Sequence, residues 1–528
     1  MSSDMEFMIL FPRLQLTAAA GGAALVLYLL YRIVLILYRT KFHTLKKIPG
    51  PWLPAATSLW IRWQRWHGRL SFRADDLLSR YGPIVRIAPN MVLCNDVQSV
   101  QTLFARQDLD TAPTAIRALR IADHDWTVTY PQNPIAKSRR RPVMLGSTTK
   151  AMRTWQPTFE DNITTMISDL AETQGAQSED IVHHLRVATL RNSGVVMAGS
   201  ETKLEPGDFP HIVGEYNFLV VWRLCMPTWM FEWLGNSWSP FSHAKFRVES
   251  DRHLFDLGKH LAQKGEENKD DENTPTIYRM LKDRQEKGFV WTETEIGAEM
   301  AGQILAATET TSSALAFIFY ELAKNPALAD AVYREVQSVE GYDNLDELKL
   351  LDACVTEGLR FRPPVALTGS RVIPEGGVKI LGYDLPAGTV VTTQSLSLSR
   401  QRPDLFPNFN EFDPTRWLDE DKLQERRKCL APFGVGARRC PGGNMATFQM
   451  RMILAAAIRA FNISVAPETT PESMEPFEAN GFRSRYDECY LVFTPRELDP
   501  QPGPQGCECG TACDCVVCTC VHYTDTHH

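Results

Sequence analysis

The chain has 528 residues, of which 44% are hydrophobic and 23% are charged. Its net charge is only −7, so neither composition nor charge favours a nucleic-acid partner. Length alone is typical of two or three domains, but residues 48 to about 497 have a steadily globular composition without repeats or low-complexity linkers. We therefore predict a flank over 1–47, one large domain over 48–499 and a separate tail over 500–528.

An apolar run near the N-terminus predicts a membrane anchor. The run Leu16–Tyr38 would measure ~35 Å as a helix, enough to cross a bilayer. Its charged residue, Arg32, can snorkel toward the nearer surface. A cleavable signal peptide is the alternative, but the run is too long for one and its positive charge mainly follows it. The same asymmetry predicts that the downstream domain lies in the cytosol.

The segment after the anchor predicts a stiff hinge and then a mainly α fold. Ile48–Trp52 contains two prolines, which restrict the backbone. Leu385–Gly388 predicts a tight turn in which Gly388 supplies the permissive φ. Few segments have strand patterns, and they are Ile84–Ile87, Met91–Leu93, Val378–Tyr383, Thr389–Thr393 and Tyr490–Thr494. The remainder is helical, which predicts a mainly α architecture with a small β region.

A proline-free stretch from Thr292 to Asn325 predicts one long helix. Thr292 and Glu295 have the spacing of a capping box, and Asn325 precedes a proline. At ~1.5 Å per residue the helix would be about 50 Å long. Its middle is apolar except for Thr308 to Ser313. These hydroxyls either donate hydrogen bonds to the preceding helical turn and have only a packing role, or take part in a reaction.

A glutamate and an arginine downstream give a weak local signal. Glu357 and Arg360 are three residues apart, so they share one face of a short helix that ends before Pro363. Alone, such a pair is usually a solvated surface pair. A second arginine, Arg416, follows within Phe412–Trp417.

The segment Phe433–Gly442 is the most informative part of the sequence. It contains three glycines, which are Gly434, Gly436 and Gly442. Glycines permit positive φ and let the backbone approach a large flat ligand. A helix predicted over Asn444–Phe461 follows Cys440, and its N-terminal dipole favours the thiolate, which is the form that binds metals. Arg438 suits a bidentate bond to a carboxylate. The pattern indicates a metal-bound thiolate, whereas the alternative, a buried free cysteine, needs neither the glycines nor the arginine.

The pattern Phe-Gly-x-Gly-x-Arg-x-Cys-x-Gly, complete in this segment, resembles the heme-binding signature of the cytochrome P450 family. Six fixed positions match by chance in such a chain with a probability on the order of 10⁻⁵. The resemblance implies the cytochrome P450 fold, preceded here by one transmembrane helix, and heme b as cofactor. Cys440 would be the axial ligand of the iron, and Phe433 and the three glycines would form the heme loop.

The resemblance also implies arginines at the heme propionates. Arg438 and Arg371, in the strand after the proline turn, are two of them. A third would come from Arg139–Arg141, where the family often has Trp-x-x-x-Arg or His-x-x-x-Arg. The aromatic residue is missing here, so the choice between Arg140 and Arg141 stays open. In the same family, Glu357, Arg360 and Arg416 would form a buried Glu-Arg-Arg network behind the heme loop.

The polar middle of the long helix, Ala306–Thr311, resembles the oxygen-binding motif of the family. By resemblance Thr310 hydrogen-bonds dioxygen and Glu309 relays protons from solvent. Ala307 stands where the family usually has glycine, a mild departure. Relatives that isomerise peroxides tend to lose the acid-threonine pair, so its presence favours a monooxygenase.

Electrons must come from another protein, because no Gly-x-Gly-x-x-Gly follows a strand in this chain. The resemblance implies NADPH-cytochrome P450 reductase as partner, with cytochrome b5 as a further one, at the endoplasmic reticulum membrane. Five basic residues near the heme loop would guide an acidic partner, unless they are only solvated surface. They are Arg426, Arg427, Lys428, Arg438 and Arg439.

The substrate is the least determined part of the interpretation. The pattern Tyr81–Asn90 resembles filamentous-fungal members of the family, which suggests an apolar terpenoid, polyketide or alkaloid intermediate of secondary metabolism. Hydroxylation of simple aromatic acids is an alternative, and a membrane-anchored heme-binding protein without turnover is another. The segments expected at the pocket are about Asp108–Gln132, the helix around Leu305 and Ala306, Pro364–Leu367 and Asn480–Phe482. Val365, Ala366, Leu367 and Phe482 predict an apolar cavity.

Twelve cysteines divide into two groups. Six are scattered and fit reduced thiols of a cytosolic domain. The other six crowd the tail after the breaker Pro500–Pro504, and they are Cys507, Cys509, Cys513, Cys515, Cys518 and Cys520. Their Cys-x-Cys pairs fit zinc or copper(I), and the alternative is a disordered appendage.

Overall fold

The computed structural model describes residues 22–107, 109–199, 202, 204–205, 207–235, 241–268, 275–283, 290–367 and 369–496. The predicted start of the anchor at Leu16 and the cysteine-rich tail lie outside these residues. Within them, helix α1 (Gly22–Phe42) is long and apolar enough to cross a membrane, and none of its most apolar part is buried. A membrane-anchor candidate therefore stands where the sequence predicts one.

Helices make up most of the described chain. They continue as α2 (Trp52–Ala56), α3 (Leu59–Trp66), α4 (Leu70–Tyr81), α5 (Val97–Val100), α6 (Pro113–Leu119), α7 (Asn133–Gly146), α8 (Thr149–Ala171), α9 (Ile181–Ala198), α10 (Phe209–Cys225), α11 (Thr228–Leu234), α12 (Ser242–Glu267), α13 (Ile277–Asp283), α14 (Glu293–Ala323), α15 (Pro326–Val336), α16 (Lys349–Phe361), α17 (Ser395–Arg400), α18 (Glu420–Lys428) and α19 (Gly443–Ala460). The mainly α prediction is confirmed.

The strands are short and form separate small sheets. They are β1 (Ile84–Ala88), β2 (Met91–Cys94), β3 (Asp110–Thr111), β4 (Ser178–Asp180), β5 (Arg371–Val372), β6 (Val378–Ile380), β7 (Tyr383–Leu385), β8 (Val390–Thr392), β9 (Phe461–Val465), β10 (Phe477–Glu478), β11 (Phe482–Arg483) and β12 (Tyr490–Pro495). The largest sheet has the order β1-β2-β8-β5-β3, in which only β2 and β8 pair in parallel. A second sheet has the order β4-β12-β9, while β6 pairs with β7 and β10 with β11.

One predicted strand is in fact a hairpin. The run Val378–Tyr383 divides into β6 and β7, because Leu381 and Gly382 both take positive φ, 48° and 81°, and reverse the chain. The predicted turn at Gly388 is present, with φ of 79°. The helix predicted over Asn444–Phe461 ends one residue early, since Phe461 already begins β9.

Helix α14 is the central element of the fold. It has 31 residues and begins at the predicted capping box, in which Thr292 and Glu295 bond reciprocally. Most of its side chains are buried, because α9, α12, α16 and α19 pack around it. The main hydrophobic core contains Ile304, Leu315 and Phe319 of this helix. A helix buried on nearly all sides gives any polar residue in its middle a fixed position.

Candidate active site

One cavity of about 390 Å³ lies between α14 and the loop 433–442. Leu305, Ala306 and Thr310 of α14 line it from one side, and Cys440 lines it from the loop. Other parts of the wall include α6, α7, α10, α17, α19, β5, the segment before α7 and the turn between β10 and β11. The two motifs singled out in the sequence, 130 residues apart, therefore meet across one space.

The expected pocket segments reach this cavity only in part. Val365 and Phe482 line it, as do Trp126, Thr127 and Val128 of the loop before α7. Ala366 and Leu367 do not: Ala366 is buried in the main core, and Leu367 packs against a different apolar cluster. Both side chains therefore pack into apolar clusters outside the cavity.

The loop that carries Cys440 is held by its own backbone. The Cys440 amide donates to Phe433 O at 2.7 Å, and the Gly434 amide donates to Ala431 O at 3.0 Å. Gly436 has φ of 73°, and a Cβ there would lie 2.1 Å from Phe104 O of the neighbouring segment. Only glycine fits at that position. Gly442, in contrast, has φ of −89°, and it precedes α19 in open space, so its predicted positive φ is wrong.

The side chain of Cys440 opens on the cavity. Its surroundings act in both directions: burial raises the pKa of the thiol, while the Gly442 amide and the charges of Arg140 and Arg439 lower it. The net direction is upward, because burial outweighs these favourable contributions to the pKa of Cys440. A metal ion would supply the missing stabilisation, since a coordinating thiol is deprotonated outright.

Three arginines converge on the same cavity. Arg140, Arg371 and Arg438 all line it. Burial, followed by the charges of Arg438 and Arg140, lowers the pKa of Arg371 to about 9. Burial also lowers the pKa of Arg140, whose Nη2 is buried without a hydrogen-bond partner among the described residues. Like charges gathered in a buried site need an anion to stabilise them.

Arg438 also ties the loop to the rest of the wall. Its Nη1 donates to Thr111 Oγ1 at 2.6 Å and to Tyr130 O at 2.9 Å, and its Nη2 donates to Pro131 O at 3.0 Å. In the run Arg139–Arg141, only Arg140 faces the cavity. Arg139 pairs with Glu295 at 2.6 Å and stacks on Trp291, and Arg141 is exposed.

The residues fit a heme. A glycine-lined loop presents a sulfur to a cavity, and three cations face that cavity where carboxylates of a flat cofactor would need partners. Cys440 would hold the iron, and Arg140, Arg371 and Arg438 would meet the two propionates. Phe433 also lines the cavity and stands beside Gly443, a Cβ on which would lie 3.3 Å from its ring.

Glu357, Arg360 and Arg416 form a buried network beside α16. Arg360 binds Glu357 through two hydrogen bonds of 2.8 Å, and Arg416 Nε binds the same carboxylate at 3.2 Å. Trp417 Nε1 and the Asp413 amide complete the shell at 2.9 and 3.0 Å. The Glu357 side chain is fully buried. The structure thus brings together the three residues that sequence reasoning grouped, and every carboxylate lone pair has a donor.

On α14 the acid and the threonine both line the cavity. Thr310 Oγ1 donates to Ala306 O at 2.8 Å, one turn earlier, and Ser312 Oγ donates to Thr308 O at 2.8 Å. Both hydroxyls therefore bond back to the helix, as the simpler alternative requires. Thr310 nevertheless faces the cavity, whereas Thr308 is fully buried. Of these three hydroxyls, only that of Thr310 is placed to meet a bound molecule.

Glu309 is held by a residue that the sequence analysis missed. Arg186 of α9 binds both of its oxygens, at 2.7 and 3.2 Å, and binds Asp487 at 2.8 and 2.9 Å. Burial lowers the pKa of Arg186, but the two carboxylates raise it overall. The signal was a single arginine at helical spacing from the apolar residues Val182 and Leu190, with which it shares the buried face of α9. A buried cation needs partners, and one of these partners is Glu309.

A second missed residue fixes the loop over the cavity. Glu299 of α14 is fully buried and accepts hydrogen bonds from Thr127 N at 2.9 Å, Thr127 Oγ1 at 2.5 Å and Gln303 Nε2 at 2.7 Å. Burial raises the pKa of its carboxyl. Trp126 lies against Gly302, where a Cβ would come within 2.2 Å of the indole ring. The loop is therefore docked on α14 at two adjacent points.

The basic run beside the heme loop is smaller than predicted. Arg426 is buried, and it donates to Leu405 O at 2.9 Å and pairs with Asp419 at 3.1 Å. Arg438 belongs to the cavity wall. Arg427, Lys428 and Arg439 are exposed. Two of the five predicted surface cations thus have interior roles.

The sequence model of the cytochrome P450 family matches residues 49–487. The chain belongs to the cytochrome P450 family. As a member it is a monooxygenase whose family carries a heme with a thiolate-bound iron. The comparison also confirms the predicted fold.

Curated relatives cover most of this cytochrome P450. It is 25% identical to cytochrome P450 67 of Uromyces fabae over 89% of this chain and 90% of that protein. It is 26% identical to the cytochrome P450 monooxygenase aflV of Aspergillus parasiticus over 86% and 92%, and 28% identical to TwmD of Talaromyces wortmannii over 83% and 89%. A solved structure, retinoic acid bound cyanobacterial CYP120A1, matches with a TM-score of 0.70 and 19% identity, over 85% of this chain and 99% of that one.

Proposed function

We propose that this cytochrome P450 inserts one atom of dioxygen into an apolar small molecule of fungal secondary metabolism. The observation that carries the proposal is that Cys440 and Thr310 face each other across one cavity with three arginines in its wall. The relatives named as monooxygenases come from fungi, which supports the biological setting. When bound, the heme would activate dioxygen and insert the oxygen atom.

The protein's part in this chemistry is to hold and orient. Cys440 would provide the axial sulfur, and Arg140, Arg371 and Arg438 would neutralise the propionates. The Glu357 network fixes the segment 407–411 against α16, because Arg360 donates to Phe409 O and Arg416 donates to Asn408 O. Because Glu357, Arg360 and Arg416 lie away from the cavity lining, we assign them a structural role only.

Proton delivery would fall to the pair on α14. Thr310 carries its hydroxyl at the cavity, and Glu309 stands beside it with its carboxylate held by Arg186. To pass a proton inward, the Glu309 carboxylate must swing away from Arg186. Asp487 makes this motion feasible, since it keeps the arginine paired after Glu309 leaves.

The deciding experiment is the carbon monoxide difference spectrum of the reduced protein. A Soret band at the thiolate-ligated position, together with NADPH consumption that depends on added reductase, is the expected result. Cys440→His should remove both. An imidazole-type spectrum in the wild type, or no heme, would leave a membrane-anchored helical protein without this chemistry.

We also propose a single-pass anchor in the endoplasmic reticulum with the domain on the cytoplasmic side. The support is α1 followed by basic residues, and a group of exposed aromatic side chains in the part of the fold that follows it. These are Trp52, Trp63 and Trp66 near α2 and α3, and Trp229 and Trp233 on α11. Cys225 at the end of α10 contacts Arg62 O at 3.4 Å, which brings α11 close to α3. Tryptophans favour the membrane interface.

Electrons would come from NADPH-cytochrome P450 reductase, with cytochrome b5 as a further donor. Arg427, Lys428 and Arg439 remain exposed beside the heme loop and would face an acidic partner. Reversing Arg427 to Glu should lower the apparent affinity for the reductase at low salt. The same change should leave the carbon monoxide spectrum unaltered.

A further inference from the structure

One corner of the cavity is polar, although Val365, Ala366, Leu367 and Phe482 predict an apolar cavity. Asn217, Glu309, Asn480 and Arg483 meet there, and all four line the cavity. They come from three elements distant in sequence: α10, α14 and the β10–β11 hairpin. We call these four residues the polar corner.

Asn217 is the least expected member. It lies in the middle of α10, and it is buried among apolar neighbours such as Leu219 and Val220. Its Nδ2 donates to Glu309 Oε2 at 3.4 Å, and its Oδ1 accepts from Asn480 Nδ2 at 3.3 Å. Both distances exceed the usual 2.7–3.2 Å range for N–H···O bonds. A buried amide held only by long bonds has capacity left for a better partner.

Asn480 is presented on a rigid tip. The hairpin that carries it pairs Glu478 with Phe482 and closes through a bond of 3.1 Å from the Ala479 amide to Gly481 O. The Phe482 amide donates to Pro364 O at 2.7 Å, and Phe482 stacks on Phe72 with ring centroids 5.5 Å apart. The Oδ1 of Asn480 has no donor among the described residues. It is therefore an acceptor held in place at the cavity.

The charges of the corner cancel. Arg483 pairs with Asp487 at 3.2 Å, and Arg186 joins Asp487 to Glu309. Two cations thus face two anions, which leaves no net charge to select an ion. A neutral group is favoured, and the free acceptor on Asn480 together with the weakly held Asn217 amide selects one that both donates and accepts. A hydroxyl is the smallest group that meets both requirements.

We infer that the substrate of this enzyme carries a hydroxyl group on an otherwise apolar body, and that Asn217 and Asn480 bind this hydroxyl at the polar corner. The inference rests on the proposed heme-thiolate site and names the substrate class of that site. The hydroxyl anchors one end of the molecule and so selects which carbon lies nearest the iron. Asn217 and Asn480 are specificity residues, not catalytic ones.

The test uses probes whose imidazole nitrogen binds heme iron. 1-Phenylimidazole is compared with 4-(imidazol-1-yl)phenol. The corresponding biphenyl pair is also compared, because its hydroxyl lies farther from the nitrogen that binds the iron. Spectral titration gives a Kd for each. In the wild type, the hydroxylated member of at least one pair should bind about 5- to 10-fold more tightly, as one hydrogen bond allows. In Asn480→Ala the preference should fall below about twofold, because the acceptor is gone.

Asn90→Ala is the matched control. Asn90 is an exposed asparagine whose Nδ2 donates to Gly388 O at 2.8 Å, outside the cavity lining, so this variant should keep the full preference. Equal affinities within both pairs in the wild type, or an unchanged preference in Asn480→Ala, would overturn the inference while the spectral shift itself still reports a heme. If the unhydroxylated probes cause no shift and the protein holds no heme, the proposed function fails first.

Discussion

Two carboxylates, the buried Glu357 and the partly buried Glu309, are both bound by arginine, yet their surroundings differ. Glu357 is fully buried and receives donors from Arg360, Arg416, Trp417 and the backbone. Glu309 shares one arginine with Asp487 and borders the cavity, with 14% of its side chain exposed. Glu357 is therefore held in a single conformation. Arg186, in contrast, has Asp487 as a second carboxylate partner, so Glu309 can leave it. Both carboxylates lie in helices that pack together, so the difference is set by what surrounds each acid.

The Glu357 network should be the most sensitive point of the molecule. Glu357→Ala leaves the buried guanidinium of Arg360 without a counter-ion and Arg416 with only Asp413 at 3.7 Å, which costs about 3–5 kcal/mol of unfolding free energy. We expect little folded holoprotein, measured by heme content and by denaturant unfolding. Glu420→Ala is the control, because Glu420 forms an exposed pair with Lys349 at 3.5 Å and should change little. Normal heme loading in Glu357→Ala would mean that the network is not structural.

The loop that carries Cys440 should be nearly as intolerant of change. Gly436→Ala puts a methyl group 2.1 Å from Phe104 O at φ of 73°, so the loop must shift, at roughly 2–4 kcal/mol. We expect a lower yield of the thiolate-type carbon monoxide band. Gly214→Ala is the control, since Gly214 lies within α10 and the nearest atom to a Cβ there, on Arg483, is 4.0 Å away, so it should be tolerated. Equal loss in both variants would contradict the steric argument.

Among substitutions at the cavity, we expect Thr310→Ala to have the largest effect, and we expect that effect on catalysis and not on stability. Thr310→Ala removes the hydroxyl beside Glu309 and leaves the core intact, so stability should hold. The amount of hydrogen peroxide released per NADPH consumed should rise roughly tenfold. It is measured in the presence of a compound that binds the enzyme, as judged by a shift of the Soret band. Thr310→Ser keeps a hydroxyl and should stay close to wild type. Unchanged coupling in Thr310→Ala would show that Thr310 has no part in proton delivery.

Replacing Asp487, the second carboxylate partner of Arg186, should have the smallest effect, and it distinguishes most clearly between the two networks. Asp487→Asn removes one of the two anions on Arg186, and because 27% of the Asp487 side chain is exposed, we expect a loss of only about 1 kcal/mol. Arg186 should then stay on Glu309, and NADPH consumption should slow while heme content stays normal. Destabilisation as large as that of Glu357→Ala would erase the distinction between the two networks.

The heme loop and the long helix were predictable because their signals are local. A capping box, a proline and a glycine spacing act within a few residues, and the structure places these elements close to the predicted bounds. Glu357, Arg360 and Arg416 were grouped only through family resemblance. The weak pattern of a Glu/Arg pair carried no information about burial.

What could not be predicted depends on contacts distant in sequence. Arg186 and Asp487 are about 300 residues apart, and neither has a local pattern that names its partner. The hairpin at Leu381 was missed because leucine rarely takes positive φ. The charged surface beside the heme loop was overestimated for a related reason: sequence does not show that Arg426 points inward to Leu405 and Asp419.

The junction between the apolar helix and the domain has a practical consequence for producing a shortened chain. Arg86 is buried and donates to Arg39 O at 2.9 Å, while Arg39 donates to Ala56 O at 3.1 Å. Leu45 is fully buried in a core cluster with Ile84. A truncated chain that starts at the proline hinge, Ile48–Trp52, would lack Leu45 of that core. It would also lack Arg39, whose carbonyl accepts a hydrogen bond from the buried Arg86. A shortened chain should therefore begin before Arg39. The apolar residues that precede Arg39 can then be removed without loss of these contacts to the domain.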